Sequence, residues 1–250
     1  MTDTILFEQH DGVAQLCFNR GSRHNALGHV ELRAIGSALD TLADDTRVLL
    51  ITSEGSRTFC AGADLSELSS GVLTGDQFQA VTNRIAALPM PTLCAISGNV
   101  FGGGVELAMS CDFRIGADDI MMRIPAAAIG LCYPIDGIEK LVTRLGPGVA
   151  KRLLVAAEEL NAQSMRELGL LDWLASPSTL SATARDRAEQ LAGLAPLAVR
   201  SMKRIIDTCA SGSHDREQAR ALSELCNQSA DLQEGLAAVR ERRPPSFKGQ

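Results

Sequence analysis

The chain has 250 residues, 45% of them hydrophobic, which suits one large domain with a sizeable core. Its 24 basic and 30 acidic residues give a net charge of −6, which argues against a general nucleic-acid-binding surface. Because the first residues lack the pattern of a signal peptide and no apolar stretch reaches membrane-spanning length, we expect a cytoplasmic protein without a membrane partner.

The order of the hydrophobic patterns predicts an α/β fold. Asp11-Gly12 separates two apolar-rich segments and is typical of a hairpin turn. Apolar residues recur at helical spacing over residues 27–42, and Pro89 and Pro91 stop a later helix. A polar link over residues 69–75 contains glycine and is a candidate mobile flap. The predicted strands are 4–8, 13–18, 48–52, 92–96, 111–115 and 120–124, and the predicted helices are 27–42, 78–88, 105–109 and 137–145.

The end of the chain has only helical patterns, from about Ala182 onward. Apolar residues form one stripe between Leu191 and Ile206 and another between Leu222 and Val239. We therefore divide the chain into a core, residues 1–190, and a C-terminal helical region, residues 191–250. The two stripes could cover the chain's own core or another subunit, and the sequence leaves both open.

Two turns that pass through glycine are the candidate functional site. Gly102-Gly103-Gly104 follows the predicted strand 92–96 and opens a helix that carries Glu106. Residues without Cβ let a ligand approach the main chain, and the first N–H groups of a helix have no internal partner. The alternative is an ordinary tight turn in which Glu106 is a solvated acid of the first helical turn.

The second turn spans residues 56–65 and follows the predicted strand 48–52 through small residues into another helix. If the N–H groups of Ala63 and Gly103 converge, they form a two-donor site for a carbonyl oxygen that gains negative charge. Two such turns facing each other therefore indicate an active site more strongly than either turn alone.

Three motifs occur in order in this chain: Asn25-Ala26-Leu27, Phe59-Cys60-Ala61-Gly62-Ala63-Asp64-Leu65 and Gly102-Gly103-Gly104-Val105-Glu106-Leu107-Ala108. On these motifs the chain resembles the crotonase superfamily, the enoyl-CoA hydratases and isomerases, from the first strand to Phe247-Lys248. The resemblance implies a spiral of β-β-α units followed by C-terminal helices, an acyl-CoA substrate in fatty acid metabolism, and a homotrimer or dimer of trimers.

No cofactor is expected, because coenzyme A enters as part of the substrate. The glycine turn lacks the spacing of the dinucleotide-binding fingerprint. The four histidines stand apart from the cysteines, so no zinc site is predicted. The seven cysteines are scattered and have no C-x-x-C pair, which predicts reduced thiols in packing positions.

The resemblance also implies positions that contact coenzyme A. Arg57 matches a cation near the CoA phosphates, and Lys248 matches another that reaches a neighbouring subunit. An acidic protein that binds a polyanion needs such local cations, and the alternative for each is an ordinary solvated side chain. The implied CoA-binding residues are Arg23, His24, Arg57, Ala61, Asp64, Leu65 and Lys248.

The resemblance leaves the reaction open. Hydratases of this family use two glutamates, and Glu106 matches the first, while Ala126 occupies the position of the second. A methyl group cannot move a proton, so hydration would require Glu106 to act on both the water and the α-carbon.

The loop 130–141 offers two further candidates. Tyr133 lies in a segment similar to the Gly-x-x-Tyr segment of methylmalonyl-CoA decarboxylases, in which the tyrosine holds the leaving carboxylate. Those enzymes often have histidine at the position of Ala63. Asp136 is a candidate acid for the α-carbon, or else the N-cap of the helix 137–145. Tyr133 could equally pack its ring and expose its hydroxyl.

The sequence therefore supports three functions. The favoured one is an enoyl-CoA hydratase in which Glu106 is the acid/base and the N–H groups of Ala63 and Gly103 polarise the thioester carbonyl. The second is a methylmalonyl-type or ethylmalonyl-type CoA decarboxylase that depends on Tyr133. The third is an acyl-CoA-binding homologue with impaired catalysis.

Overall fold

A computed structural model describes residues 3–55 and 57–250 of the chain. Ser56, at the start of the second predicted turn, lies outside the described residues. The strands are β1 (Ile5–His10), β2 (Val13–Phe18), β3 (Val48–Ser53), β4 (Thr58–Cys60), β5 (Thr92–Ile96), β6 (Asn99–Phe101), β7 (Phe113–Ala117), β8 (Met121–Arg123), β9 (Leu160–Asn161) and β10 (Trp173–Ala175). The helices are α1 (His29–Asp40), α2 (Leu65–Ser70), α3 (Gly75–Ala86), α4 (Gly103–Ser110), α5 (Ile135–Leu154), α6 (Ala162–Glu167), α7 (Leu180–Ala192), α8 (Pro196–Ala210), α9 (Arg216–Asn227) and α10 (Ala230–Glu241).

The strands form two sheets. The larger sheet has the order β1-β2-β3-β5-β7-β10, and the smaller has the order β4-β6-β8-β9. From β3 to β8, successive strands alternate between the sheets, and within each sheet these strands pair in parallel. Each pair of strands is followed by helix, so the chain rises in repeated β-β-α turns. The predicted spiral of β-β-α units is confirmed.

The predicted hairpin is present at the edge of the larger sheet. β1 and β2 pair antiparallel from Ile5↔Phe18 to His10↔Val13. The two turn residues both have positive φ, 49° at Asp11 and 76° at Gly12. This is the geometry of a type I′ turn, whose twist matches that of the strands it joins.

Four strands, β4, β6, β9 and β10, were missing from the sequence prediction. β4 and β6 have only three residues each, too few for an alternating pattern to be recognised. They precede the two glycine turns directly, so each turn leaves a strand of the smaller sheet rather than of the larger one. Helix α5 is also longer than predicted and contains a break at Gly146, where φ is 75°.

The C-terminal helices differ in what they cover. Helix α7 buries Leu180, Ala184 and Ala188 in the core of the larger sheet. The predicted border between residues 190 and 191 therefore falls inside α7, whose apolar side belongs to the core. Helices α8, α9 and α10 leave large apolar side chains exposed, among them Met202, Ile206, Leu225, Leu236 and Val239.

The seven cysteines are all free thiols. Cys17, Cys60, Cys94 and Cys111 are buried, as expected for packing positions. The expectation is wrong for Cys132 and Cys209, which are exposed. Within the described part of the chain, no helix combines the length and the apolar character needed to cross a bilayer.

Candidate active site

The two glycine turns lie against each other. Gly62 has a φ of +85°, and a Cβ at this position would lie 2.6 Å from the nitrogen of Gly103 and 2.9 Å from the carbonyl oxygen of Phe101. Only a residue without a side chain permits both this backbone conformation and this approach. The turn that carries Ala63 is therefore packed onto the first residue of α4.

Ala63 is held by a single bridge to the segment before α1. The N–H of Leu27 donates to the carbonyl of Gly62 at 2.8 Å, and the N–H of Asp64 donates to the carbonyl of Leu27 at 2.9 Å. In such a parallel pairing, the N–H of the residue between the two bonded groups points away from the partner strand. This bridge also explains why α1 begins at His29 rather than at Leu27.

Two main-chain N–H groups at the junction of the turns have no hydrogen-bond partner among the described residues. Helix α4 begins at Gly103, and its first internal bond runs from the N–H of Val105 to the carbonyl of Gly102. In residues 3–55 and 57–250, neither the N–H of Ala63 nor that of Gly103 donates a hydrogen bond. Unpaired N–H groups at a helix start can bind an oxygen that gains negative charge.

Glu106 lies in the first turn of α4 and is only 2% exposed. The Thr82 hydroxyl on α3 donates to its Oε1 at 2.9 Å. The Lys140 ammonium on α5 lies 3.5 Å from the same oxygen and donates to the Thr82 hydroxyl at 2.9 Å. Glu106 is therefore not the solvated first-turn acid of the alternative interpretation, because three helices enclose its carboxylate.

Tyr133 borders the same carboxylate. Its hydroxyl donates to the carbonyl of Gly102 at 3.2 Å, and its side chain is buried. Burial raises the pKa of Tyr133 well above its usual value, and the negative charge of Glu106 raises it further, so the phenol remains a hydrogen-bond donor. The interpretation in which the hydroxyl is exposed is wrong.

Gly137 provides the space in which Tyr133 and Glu106 meet. A Cβ at Gly137 would lie 2.5 Å from Cε1 of Tyr133 and 2.7 Å from Oε2 of Glu106. Any larger residue here would displace the ring or the carboxylate. Ala126, at the position of the missing second carboxylate, is buried and contributes only a methyl group.

Asp136 differs from its sequence interpretation as a helix cap. Helix α5 begins at Ile135 with Pro134 as the N-cap, so Asp136 lies within the first turn. Its Oδ2 accepts a hydrogen bond from Nδ2 of the exposed Asn83 at 2.6 Å. The carboxylate is therefore bonded to the surface of α3, and the N-cap interpretation is wrong.

The implied CoA-binding residues separate into two groups. Arg23, His24 and Arg57 are exposed, and among the described residues none of the three forms an ion pair. The N–H of Ala61 donates to the carbonyl of His24 at 3.1 Å, which fixes the loop of Arg23 and His24 beside the second turn. Leu65, at the start of α2, is 61% exposed.

Asp64 has a structural role that the sequence did not reveal. Its Oδ1 caps α2 by accepting from the N–H groups of Ser66 and Glu67, and its Oδ2 lies 3.1 Å from the Arg20 guanidinium. Burial alone would raise the pKa of Asp64, but these N–H groups and Arg20 together hold it below its usual value. The carboxylate is thus bonded within the chain, to the first turn of α2 and to Arg20.

Lys248 contacts helix α10 rather than the residues around Glu106. Its N–H donates to Oδ1 of Asp231 on α10 at 2.7 Å, and its side chain is exposed. No hydrogen bond or ion pair joins it to the described residues around Glu106.

Sequence reasoning missed Thr82, Lys140 and Gly137. Thr82 lies among Phe78, Val81 and Ile85 on the buried face of α3, and a polar residue on an apolar face was the available signal. Lys140 had no comparable signal, because a lysine in the first half of a helix is usually solvated. No group of three or more histidine, cysteine, aspartate or glutamate side chains in the described residues is arranged to hold a metal ion.

Comparison with known proteins defines first the fold and then the family. An enoyl-CoA hydratase structure from Mycobacterium tuberculosis H37Rv superposes with a TM-score of 0.89 at 30% identity, covering 100% of both chains. The chain therefore has the crotonase fold.

Two relatives and a family model extend the comparison. The mitochondrial enoyl-CoA hydratase domain-containing protein 2 of Mus musculus is 35% identical and covers 96% of this chain and 86% of its own length. A crotonyl-CoA hydratase of Syntrophomonas wolfei is 32% identical and covers 98% of both chains. The sequence model of the enoyl-CoA hydratase/isomerase family matches residues 8–250. The chain belongs to the enoyl-CoA hydratase/isomerase family, within the crotonase superfamily, and is an enzyme of that family.

Proposed function

We propose that this enzyme adds water to the double bond of a 2-enoyl-CoA, with Glu106 as its single acid/base. The observation that carries the proposal is the junction of the two turns, where two free main-chain N–H groups lie near the start of the helix that holds a buried carboxylate. The crotonyl-CoA hydratase of S. wolfei is named for a reaction of this class.

The reaction needs one carboxylate to act twice. Glu106 accepts a proton from water while the hydroxide forms a bond to the β-carbon, and the electron pair of the double bond moves to the thioester carbonyl. The N–H groups of Ala63 and Gly103 stabilise the enolate oxygen. The enolate then collapses, and the carboxyl group of Glu106 returns its proton to the α-carbon. One water is thereby added and the carboxylate is regenerated.

Binding of the substrate is assigned to the exposed edge of the second turn. Arg23, His24 and Arg57 are exposed cations or potential cations beside it, which suits the phosphates of coenzyme A. Ala61 and Leu65 border the same turn and are proposed to contact the pantetheine arm. No cofactor is proposed, since coenzyme A is carried by the substrate.

The test is turnover of crotonyl-CoA by the wild-type chain and by Glu106→Gln. We expect hydration in the wild type and its loss in the variant, with acyl-CoA binding retained, because the amide preserves the shape of the carboxylate but cannot accept the proton. Full activity in Glu106→Gln would remove Glu106 from the mechanism.

A second candidate function is decarboxylation of a malonyl-type CoA thioester, favoured by the buried Tyr133 hydroxyl beside the turn. Release of carbon dioxide from methylmalonyl-CoA or ethylmalonyl-CoA, lost in Tyr133→Phe, would select this reaction over hydration. Tight binding of crotonyl-CoA, methylmalonyl-CoA or ethylmalonyl-CoA without turnover of any of them would instead select a non-catalytic acyl-CoA-binding protein.

We further propose a homo-oligomer, a trimer or a dimer of trimers. The exposed apolar side chains of α8, α9 and α10 would be covered by another copy of the chain. Light scattering that returns the mass of a single subunit would contradict this assembly.

A further inference from the structure

A partly buried lysine faces the acid/base of the proposed reaction. Lys140 is 17% exposed at its side chain, and its ammonium lies 3.5 Å from Oε1 of Glu106. The two residues are also joined through Thr82, which accepts a hydrogen bond from Lys140 and can donate one to Glu106. Thr82 is itself fully buried, so this chain of contacts is shielded from solvent.

The contacts distinguish the two oxygens of Glu106. The hydroxyl of Thr82 and the ammonium of Lys140 both approach Oε1. Oε2 lies on the opposite side of the carboxylate group, towards Gly137 and Tyr133, where a Cβ on Gly137 would come within 2.7 Å of it. Oε1 is therefore held by Thr82 and Lys140, while Oε2 lies close to Gly137.

We propose that Lys140 is a positioning residue that, together with Thr82, holds Oε1 of Glu106 and reserves Oε2 for proton transfer. The inference rests on the proposed function. Because Ala126 offers no second carboxylate, a single group must take a proton from water and return it to carbon, and that group needs a fixed direction.

Other charged groups surround the pair of Lys140 and Glu106. Burial lowers the pKa of Lys140, an effect that the Glu106 carboxylate and Asp136 oppose and that Arg144 reinforces. Tyr133 remains protonated, since burial and Glu106 both raise its pKa. Lys140 is thus the cation nearest to Glu106 among the described residues.

The experiment compares kcat and KM of Lys140→Met and Lys140→Arg with those of the wild type on crotonyl-CoA at one pH. For Lys140→Met we expect kcat to fall about 10²-fold with a smaller change in KM, since the acid/base is misplaced while the CoA contacts are intact. Lys140→Arg should restore most of kcat, because its guanidinium restores a cation beside Oε1 of Glu106.

Lys203→Met is the matched control. Lys203 forms another partly buried pair with a carboxylate, 2.6 Å from Oδ2 of Asp112, and this pair joins α8 to the core. We expect Lys203→Met to lower thermal stability while kcat stays near the wild-type value. If Lys140→Met does not fold, Lys140→Gln tests the same loss of charge with a shorter, polar side chain.

The outcomes distinguish the proposed role of Lys140 from the proposed hydratase function. Hydration that is lost in Glu106→Gln but has a wild-type kcat in Lys140→Met overturns the role of Lys140 alone. Equal losses of kcat in Lys140→Met and Lys203→Met overturn it as well. Hydration that survives in Glu106→Gln, or is absent from the wild type, overturns the proposed function and the role of Lys140 with it.

Discussion

The contact between the two glycine turns predicts a specific effect of a single methyl group at Gly62. In Gly62→Ala the new Cβ would lie 2.6 Å from the nitrogen of Gly103, closer than van der Waals contact allows. The residue must also keep a φ of +85°, which an alanine adopts only with strain. The change therefore combines a backbone penalty with a steric clash at the proposed donor site.

The two penalties can be separated by a second glycine. Gly169 has a φ of +80°, and a Cβ there would have no heavy atom within 4 Å. Gly169→Ala should cost only the backbone strain, about 1–2 kcal/mol. Gly62→Ala adds the cost of overpacking, about 1–3 kcal/mol, which gives a total of about 2–5 kcal/mol.

Two assays check this prediction. Urea unfolding at one protein concentration should show a lower midpoint for Gly62→Ala than for Gly169→Ala, with the same m-value. Turnover of crotonyl-CoA should fall about 10²- to 10³-fold in Gly62→Ala, because the clash displaces an N–H donor, and should stay near the wild-type rate in Gly169→Ala. Equal midpoints, or normal turnover in Gly62→Ala, would contradict the contact between the turns.

Two further predictions concern Asp64 and the cysteines. Because the folded pKa of Asp64 is depressed, its contribution to stability is complete above the unfolded pKa of about 3.9 and is lost as the pH falls through the folded value. Asp64→Asn keeps a good N-cap but loses this charge, so the stability of the variant should depend less on pH below about pH 4 than that of the wild type. Identical acid-unfolding curves for the two proteins would refute the contribution of the Asp64 charge. A thiol-alkylating reagent at pH 8 should modify exposed Cys132 in the native protein but not Cys60, whose pKa burial raises to about 12, as mass spectrometry of the peptides will show.

Different contacts hold the two glycine turns in place. The second turn is stiffened by the Asp64 cap and its ion pair with Arg20, while the first turn is confined by Gly62 on one side and by the ring of Phe78 on the other. Donors that are fixed before substrate arrives need no reorganisation when negative charge develops. The internal bonds of Asp64 therefore contribute to the site indirectly, by holding Ala63 in place.

Much of the backbone could be read from local patterns. The hairpin at Asp11-Gly12, the buried strand at 92–96 and the helix that follows the glycine turn were all predicted, because a turn dipeptide, an apolar run or a helical periodicity constrains the chain within a few residues. The motifs around Asn25, Gly62 and Glu106 were sufficient to indicate the family.

The environment of Glu106 could not be read in this way. Thr82 and Glu106 are 24 residues apart, and Thr82 and Lys140 are 58 residues apart, so their contacts depend on how α3 and α5 pack against α4. The same packing directs Asp136 to Asn83. The sequence by itself determined which residues can form the two turns and the acid-bearing helix, since those properties are local. Only the tertiary structure decided which polar partners that acid meets, because a side chain buried away from water must bond to whatever distant segment is folded against it.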